Sequence, residues 1–186
     1  MILFVNACVR KQSRTLRLAK KLLNGLNEEV KEIRLEDVLF PVLNEDFIIR
    51  RDELKNKGKY DDPMFDLARD FANADKIVIA APYYDLSFPA MLKQYFEQIN
   101  VVGLTFAYSD AGIPQGLCRA KSLYYVTTAG GFILSDDLGF GYVKALANTF
   151  YGISDVFQIK AEGLDIVGAD VEKILSSVDI EQYMIR

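Results

Sequence analysis

Met1-Ile2-Leu3-Phe4-Val5, followed by Asn6-Ala7-Cys8-Val9-Arg10-Lys11-Gln12-Ser13-Arg14-Thr15, is the stretch on which the fold turns. Its first part is a short, unbroken apolar run, the pattern of a strand covered on both faces. The polar segment after it reads as a loop. Beyond that, Leu16, Ala19, Leu22, Leu23 and Leu26 recur at helical spacing, while Arg17, Lys20, Lys21 and Asn24 fall on another face. The unit is therefore strand, loop, helix, and it is the first of a series.

Ile77 to Ala81 and Leu123 to Val126 are apolar runs of the same kind. Val30 to Leu35 is interrupted by Lys31, Glu32 and Arg34, and Val156 to Ala161 by Gln158 and Lys160, as suits strands at the edges of a sheet. Between the runs lie helical stripes: Met64, Leu67, Ala68 and Phe71; Leu92, Tyr95, Phe96 and Ile99; Val143, Leu146, Ala147 and Phe150; and Val171, Ile174, Leu175 and Val178. These stripes are core. Strands alternating with helices define an α/β fold with a parallel sheet. Three central and two edge strands match the doubly wound order 2-1-3-4-5. Two segments break the alternation. Glu45 to Asp62 is charged and reads as a long connection with one helical turn, and Gly103 to Gly116 holds Phe106, Tyr108, Gly112 and Pro114. No repeat or second domain is visible, so residues 1–186 are expected to form one domain.

Composition prunes the chemistry. The chain has no histidine, which removes Ser-His-Asp and Cys-His nucleophilic systems and the common zinc sites. Cys8 and Cys118 are too few for a disulfide framework or an iron-sulfur cluster, and no metal site is expected. A net charge of -4 offers no basic surface for nucleic acid. No apolar run is long enough to span a membrane. The N-terminus lacks the basic flank and cleavage site of a signal peptide, which makes a cytoplasmic protein the default.

In an open parallel sheet, ligands bind beyond the carboxyl ends of the strands, where the strand order reverses. The loops after strands one, three and four meet there. In the first, Ser13 is a candidate N-cap, so the free amides of the helix start would face the loop, joined by the Ser13 and Thr15 hydroxyls and the charges of Arg10, Lys11 and Arg14. That makes a phosphate seat without P-loop glycines, and an ordinary capped helix with a solvated basic flank would carry the same residues. The second loop, Pro82-Tyr83-Tyr84-Asp85-Leu86, presents aromatics and an acid along which a flat ring could lie; tyrosines packing the core and Asp85 capping a turn are the plain alternative. The third, Thr127-Thr128-Ala129-Gly130-Gly131, permits close backbone approach of a ligand.

Taken in order, Ser13-Arg14-Thr15, Ala81-Pro82-Tyr83-Tyr84-Asp85-Leu86 with Leu92-Lys93-Gln94-Tyr95-Phe96, Gly103-Leu104-Thr105-Phe106 with Tyr108, and Thr127-Thr128-Ala129-Gly130-Gly131 resemble the flavodoxin-like FMN-dependent NAD(P)H quinone reductase and azoreductase family over residues 1 to about 150. The resemblance implies a flavodoxin-like three-layer sandwich and a tightly but non-covalently held FMN. Arg10, Ser13, Arg14 and Thr15 would surround its phosphate. Pro82, Tyr83, Tyr84, Asp85 and Leu86 would line the isoalloxazine, and Thr128, Gly130 and Gly131 would complete the pocket. It further implies a homodimer in which Phe106 and Tyr108 reach the partner's flavin. The implied reaction is ping-pong: NADH or NADPH gives a hydride to the flavin and leaves, and a small-molecule acceptor, a quinone or azo compound, takes two electrons. Asp85 stands where many azoreductases carry Asn, and Ile133 where they carry a His after the paired glycines. An acid beside the flavin would lower its potential. With no histidine, Tyr83 and Tyr84 are the candidates for protonating substrate. The competing readings are a flavodoxin-type electron carrier, which would show no steady NAD(P)H oxidation, and an α/β binding domain that takes no flavin and is colourless.

Overall fold

The computed structural model describes residues 1–184; residues 185 and 186, the end of the expected domain, lie outside the described residues. In chain order the elements are β1 (Ile2–Asn6), α1 (Arg14–Leu26), β2 (Val30–Arg34), α2 (Glu45–Asn56), α3 (Asp66–Asn73), β3 (Lys76–Ala80), α4 (Ala90–Ile99), β4 (Phe106–Tyr108), β5 (Pro114–Gly116), β6 (Ser122–Thr128), α5 (Phe140–Leu146), β7 (Asp155–Ala161) and α6 (Val171–Ser177). Five strands form one parallel sheet in the order β2-β1-β3-β6-β7, which is the expected 2-1-3-4-5 order with the short β4 and β5 set aside.

Side chains alternate across each strand and so feed two cores. Leu3, Val5, Ile77, Ile79, Leu123 and Tyr125 meet Phe71, Tyr95, Phe96, Val143 and Leu146 from α3, α4 and α5. Ile2, Phe4, Val78, Tyr124 and Val126 meet Leu18, Ala19, Leu22 and Leu175 from α1 and α6 on the other face. Both faces of β1, β3 and β6 are thus buried, which is why Ile2 to Val5, Ile77 to Ala80 and Leu123 to Val126 are continuously apolar. In β2 only Ile33 is buried, in keeping with its charged neighbours and edge position. The register pairs Asn6 with Ala80, Ala80 with Val126, and Val126 with Ile159. The carboxyl ends of four strands are therefore level, and the loops that leave them open onto one edge.

The expected connection at Glu45 to Asp62 is instead largely the three-turn helix α2. No apolar stripe announces it, because it buries no side chain fully. Its ends hold it: the Asn44 side chain accepts from the Phe47 amide, Glu45 and Asp46 face the positive end of the dipole, and Lys55 and Lys57 pair back to Asp52 and Glu53. The Gly103 to Gly116 segment contains the hairpin β4–β5, with Phe106 opposite Gly116 and Tyr108 opposite Pro114. The expected helix through Phe150 is α5 followed by a wider π turn at Ala147–Tyr151. It ends at Gly152 in the left-handed region (φ 70°), directly against Gly116.

Candidate cofactor site

The level strand ends enclose a cavity of about 510 Å³ lined by Arg10, Gln12, Ser13, Arg14, Thr15, Pro82, Tyr83, Tyr84, Thr128, Ala129, Gly130 and Asp165. Each wall has a local cause. Below the first loop, the Asn6 side chain accepts from the Cys8 amide and donates to Glu32, which fixes how the chain leaves β1. The Ser13 amide donates to the Arg10 carbonyl, closing a turn (3.0 Å). Ser13 then caps α1: its hydroxyl accepts from the Leu16 amide (3.2 Å) and its carbonyl from the Arg17 amide (3.1 Å). The first-turn amides of Arg14 and Thr15 have no intrahelical acceptor and remain for a ligand. Burial pushes the Cys8 thiol up to about 11, although the hydroxyl of Ser13 pulls it down. The sulfur beneath the loop is therefore a protonated thiol.

The second wall is the loop after β3. The Tyr83 amide donates to the Thr128 carbonyl (3.0 Å), so this loop continues the β3–β6 pairing. Tyr84 and Ser87 then exchange two backbone bonds (3.0 and 2.8 Å) around Asp85 and Leu86, both left-handed at φ 50° and 68°. Such a turn ordinarily takes Asn-Gly, and a leucine there costs about 1 kcal/mol or more. It is held from outside by the Ser87 hydroxyl, which donates to the Leu138 carbonyl at 2.5 Å.

The third wall follows β6. Thr128 turns its hydroxyl onto that of Thr15 (2.7 Å), joining the start of α1 to the end of β6. A fourth segment, unforeseen from the sequence, completes the enclosure. After β7, the amides of Gly163, Leu164 and Asp165 donate to the carbonyls of Gly131, Ala129 and Gly130, extending the sheet pairing beyond the strand. Asp165 then forms an ion pair with Arg14 (2.7 Å).

Of the residues expected around a flavin, Arg10, Ser13, Arg14, Thr15, Pro82, Tyr83, Tyr84, Thr128 and Gly130 line this one cavity. Asp85, Leu86 and Gly131 do not: the first two are carried outward by the tight turn, leaving Leu86 59% exposed. Gln12, Ala129 and Asp165 line it without having been expected. Gln12 and Ala129 neighbour expected residues, and Asp165 had the position of its loop, beyond the carboxyl end of β7, as its only signal. Of the two aromatics expected to reach a partner's flavin, Phe106 is 5% exposed within the chain and packs on Phe150 with ring centroids 4.5 Å apart, whereas Tyr108 is 54% exposed. Among the described residues no group of His, Cys, Asp and Glu is placed to hold a metal ion, and no helix is long and apolar enough to cross a membrane.

The cavity sorts its chemistry by position. Arg10, Arg14, two hydroxyls and the open end of a 13-residue helix make an anion seat. Pro82, Tyr83 and Tyr84 provide a broad, partly apolar wall beside it. A compact anion at one end and a flat ring system along the other fit this donor set, and a volume of about 510 Å³ lies in the usual range for cofactor pockets.

An anion seat beside an aromatic wall, beyond the carboxyl ends of a parallel sheet of this order, defines a nucleotide-binding protein of the flavodoxin class. The chain belongs to the flavodoxin-like fold family, whose model matches residues 1–181, and within it to the FMN-dependent NADH:quinone oxidoreductases. Its similarity to an FMN-dependent NADH:quinone oxidoreductase 2 of Clostridium acetobutylicum is 38% identity over 154 residues, 80% of this chain and 76% of that one. With an FMN-dependent NADH:quinone oxidoreductase of Coprothermobacter proteolyticus it is 34% over 188 residues, covering 94% and 92%. An azoreductase structure from Bacillus anthracis superimposes with a TM-score of 0.82 over 98% of this chain and 96% of that one; at 24% identity the likeness is one of fold.

Proposed function

We propose that this chain is one FMN-binding domain that catalyses two-electron reduction of quinones or related small acceptors by NADH or NADPH. The observation that carries the reading is the meeting of anion seat and aromatic wall in one cavity. Relatives named FMN-dependent NADH:quinone oxidoreductases over most of the chain support it. Bound FMN would supply the redox chemistry, taking up a hydride from the nicotinamide and passing two electrons to the acceptor.

The protein's own part is to bind, orient and shield. Arg10, Arg14, Ser13, Thr15 and the Arg14 and Thr15 amides hold the phosphate. Tyr83, Tyr84 and Pro82 hold the ring system against the end of β3, while Thr128 and Gly130 close the opposite side. The backbone bond from Tyr83 to Thr128 keeps the two ring-facing walls at fixed spacing. The Tyr83 and Tyr84 hydroxyls are the proton sources proposed for substrate, and azo compounds are proposed among the acceptors. Alternation of donor and acceptor in one open site gives ping-pong kinetics. The working unit is a homodimer, with Tyr108 offered to the partner's site. Exposed Leu39, Val42, Ile48 and Ile49, beside an apolar groove of about 490 Å³ under α2, supply further surface for a second copy.

The test is the visible spectrum of the purified chain, then anaerobic addition of NADH or NADPH. A flavin band that bleaches on addition, and returns with a quinone, is the expected result. A bound flavin that NAD(P)H does not bleach indicates an electron carrier; a colourless protein that takes up no added FMN overturns the reading.

A further inference from the structure

The anion seat contains an acid. Asp165 lines the cavity with Arg10, Arg14 and Thr15, and its Oδ1 lies 2.7 Å from an Arg14 Nη. Its backbone is fixed independently of that contact, since the Asp165 amide donates to the Gly130 carbonyl (2.9 Å). The side chain is 68% exposed at the mouth of the seat. The carboxylate also occupies the space above Gly130: a Cβ there would lie 2.2 Å from Oδ2 and 2.9 Å from Cγ. A glycine at 130 is what lets the acid stand at this point.

Two features bear on a ligand. A carboxylate and a phosphate use the same guanidinium donors, and Asp165 already occupies one Nη of Arg14. Asp165 also sets one negative charge against the two positive charges of Arg10 and Arg14 in the lining. A phosphate monoester must compete with Asp165 for that Arg14 donor and then sit beside the carboxylate. A flavin without a phosphate meets neither requirement.

Resting on the FMN reading above, we propose that Asp165 is an internal stand-in for the phosphate. By competing for Arg14 it weakens the binding of a phosphorylated flavin relative to its unphosphorylated form. Asp165 is thus an affinity-setting residue of the seat.

The experiment titrates the chain, stripped of flavin, with FMN and, separately, with riboflavin, following flavin fluorescence. Wild type, Asp165→Asn, Asp165→Ala and Asp165→Glu are compared. Asn is isosteric and keeps the backbone bond to Gly130, and Ala removes the charge by a different route. Both should bind FMN about tenfold tighter with riboflavin changed less than about twofold, the size of one unit charge acting on a phosphate across a few ångströms of wet surface. Asp165→Glu should retain the wild-type ratio of the two affinities. Weaker FMN binding in Asp165→Asn, or equal shifts for both flavins, would overturn the assignment and make Asp165 a support for Arg14. If wild type binds FMN but the ratio is unmoved in Asn and Ala, this inference fails alone. Wild type that binds neither flavin removes the FMN reading and this one with it.

Discussion

The hydroxyl pair Thr15–Thr128 joins two walls of the cavity and offers a sharp test of how the site is held. The oxygens are 2.7 Å apart and both residues are buried, at 1% and 8% exposure. Thr15→Val keeps the shape and removes one hydroxyl, stranding the other. A buried polar group left without a partner costs about 1–3 kcal/mol, so each single Thr→Val variant should lose about 2 kcal/mol. In a chain of this length that is roughly 4–8 °C of Tm, at 2–4 °C per kcal/mol. The double variant replaces both partners with apolar groups of the same shape, which is nearly neutral. The cycle should therefore show a coupling of about 4 kcal/mol, with the double variant more stable than either single one. Urea unfolding of the flavin-free protein, with an unchanged slope as the control, measures all four corners. Single losses that sum to the double within about 0.5 kcal/mol would refute the bridge. The double variant also separates folding from binding: stable but lacking both hydroxyls, it should bind FMN more weakly.

Arg14→Glu replaces the seat's cation with an anion and should weaken FMN binding by about tenfold to a hundredfold, read by fluorescence titration; unchanged affinity in a folded variant would remove Arg14 from the seat. Gly116→Ala would set a Cβ 2.1 Å from the Gly152 nitrogen and 2.2 Å from the Tyr151 carbonyl carbon, both backbone atoms. It should cost about 3 kcal/mol or more, and a Tm within a degree or two of wild type would show that β5 can move away. Burial pushes the Cys8 thiol up to about 11 and the Cys118 thiol to about 12. An unfolded thiol ionises near ~8.5, so the folded chain keeps protons that the unfolded chain gives up, and stability is full below about pH 8.5 and declines through about pH 9–12. Urea midpoints measured across that range should fall, and Cys8→Ser with Cys118→Ala should flatten the decline.

The parallel sheet was legible because β1, β3 and β6 are buried on both faces and therefore carry continuous apolar runs. The edge strands were legible through the charges that one open side tolerates. Helix α2 was not, since hydrophobic periodicity detects only helices that bury a face; what marks it is Asn44 with Glu45 and Asp46, a capping signal in a charged stretch. The hairpin β4–β5 has three-residue strands, too short for alternation to show. At the site, the loops after β1, β3 and β6 could be read from topology. The outward turn at Asp85–Leu86 could not, because two non-glycine residues with positive φ run against local preference and are imposed by Ser87 and Leu138. The packing of Phe106 on Phe150, 44 positions later, lay equally beyond reach of local pattern.

Helix α2 has one more consequence. With no fully buried side chain, its hydrogen bonds are guarded by little beyond its caps and the half-buried apolar Phe47 and Leu54. Where no second copy covers Ile48 and Ile49 it opens locally at small cost, while amides of β1, β3 and β6 exchange only when the whole sheet comes apart. In deuterated water the chain therefore keeps two clocks, fast at residues 45–56 and slow in the sheet. A protease added to the native protein should make its first cut on the fast one.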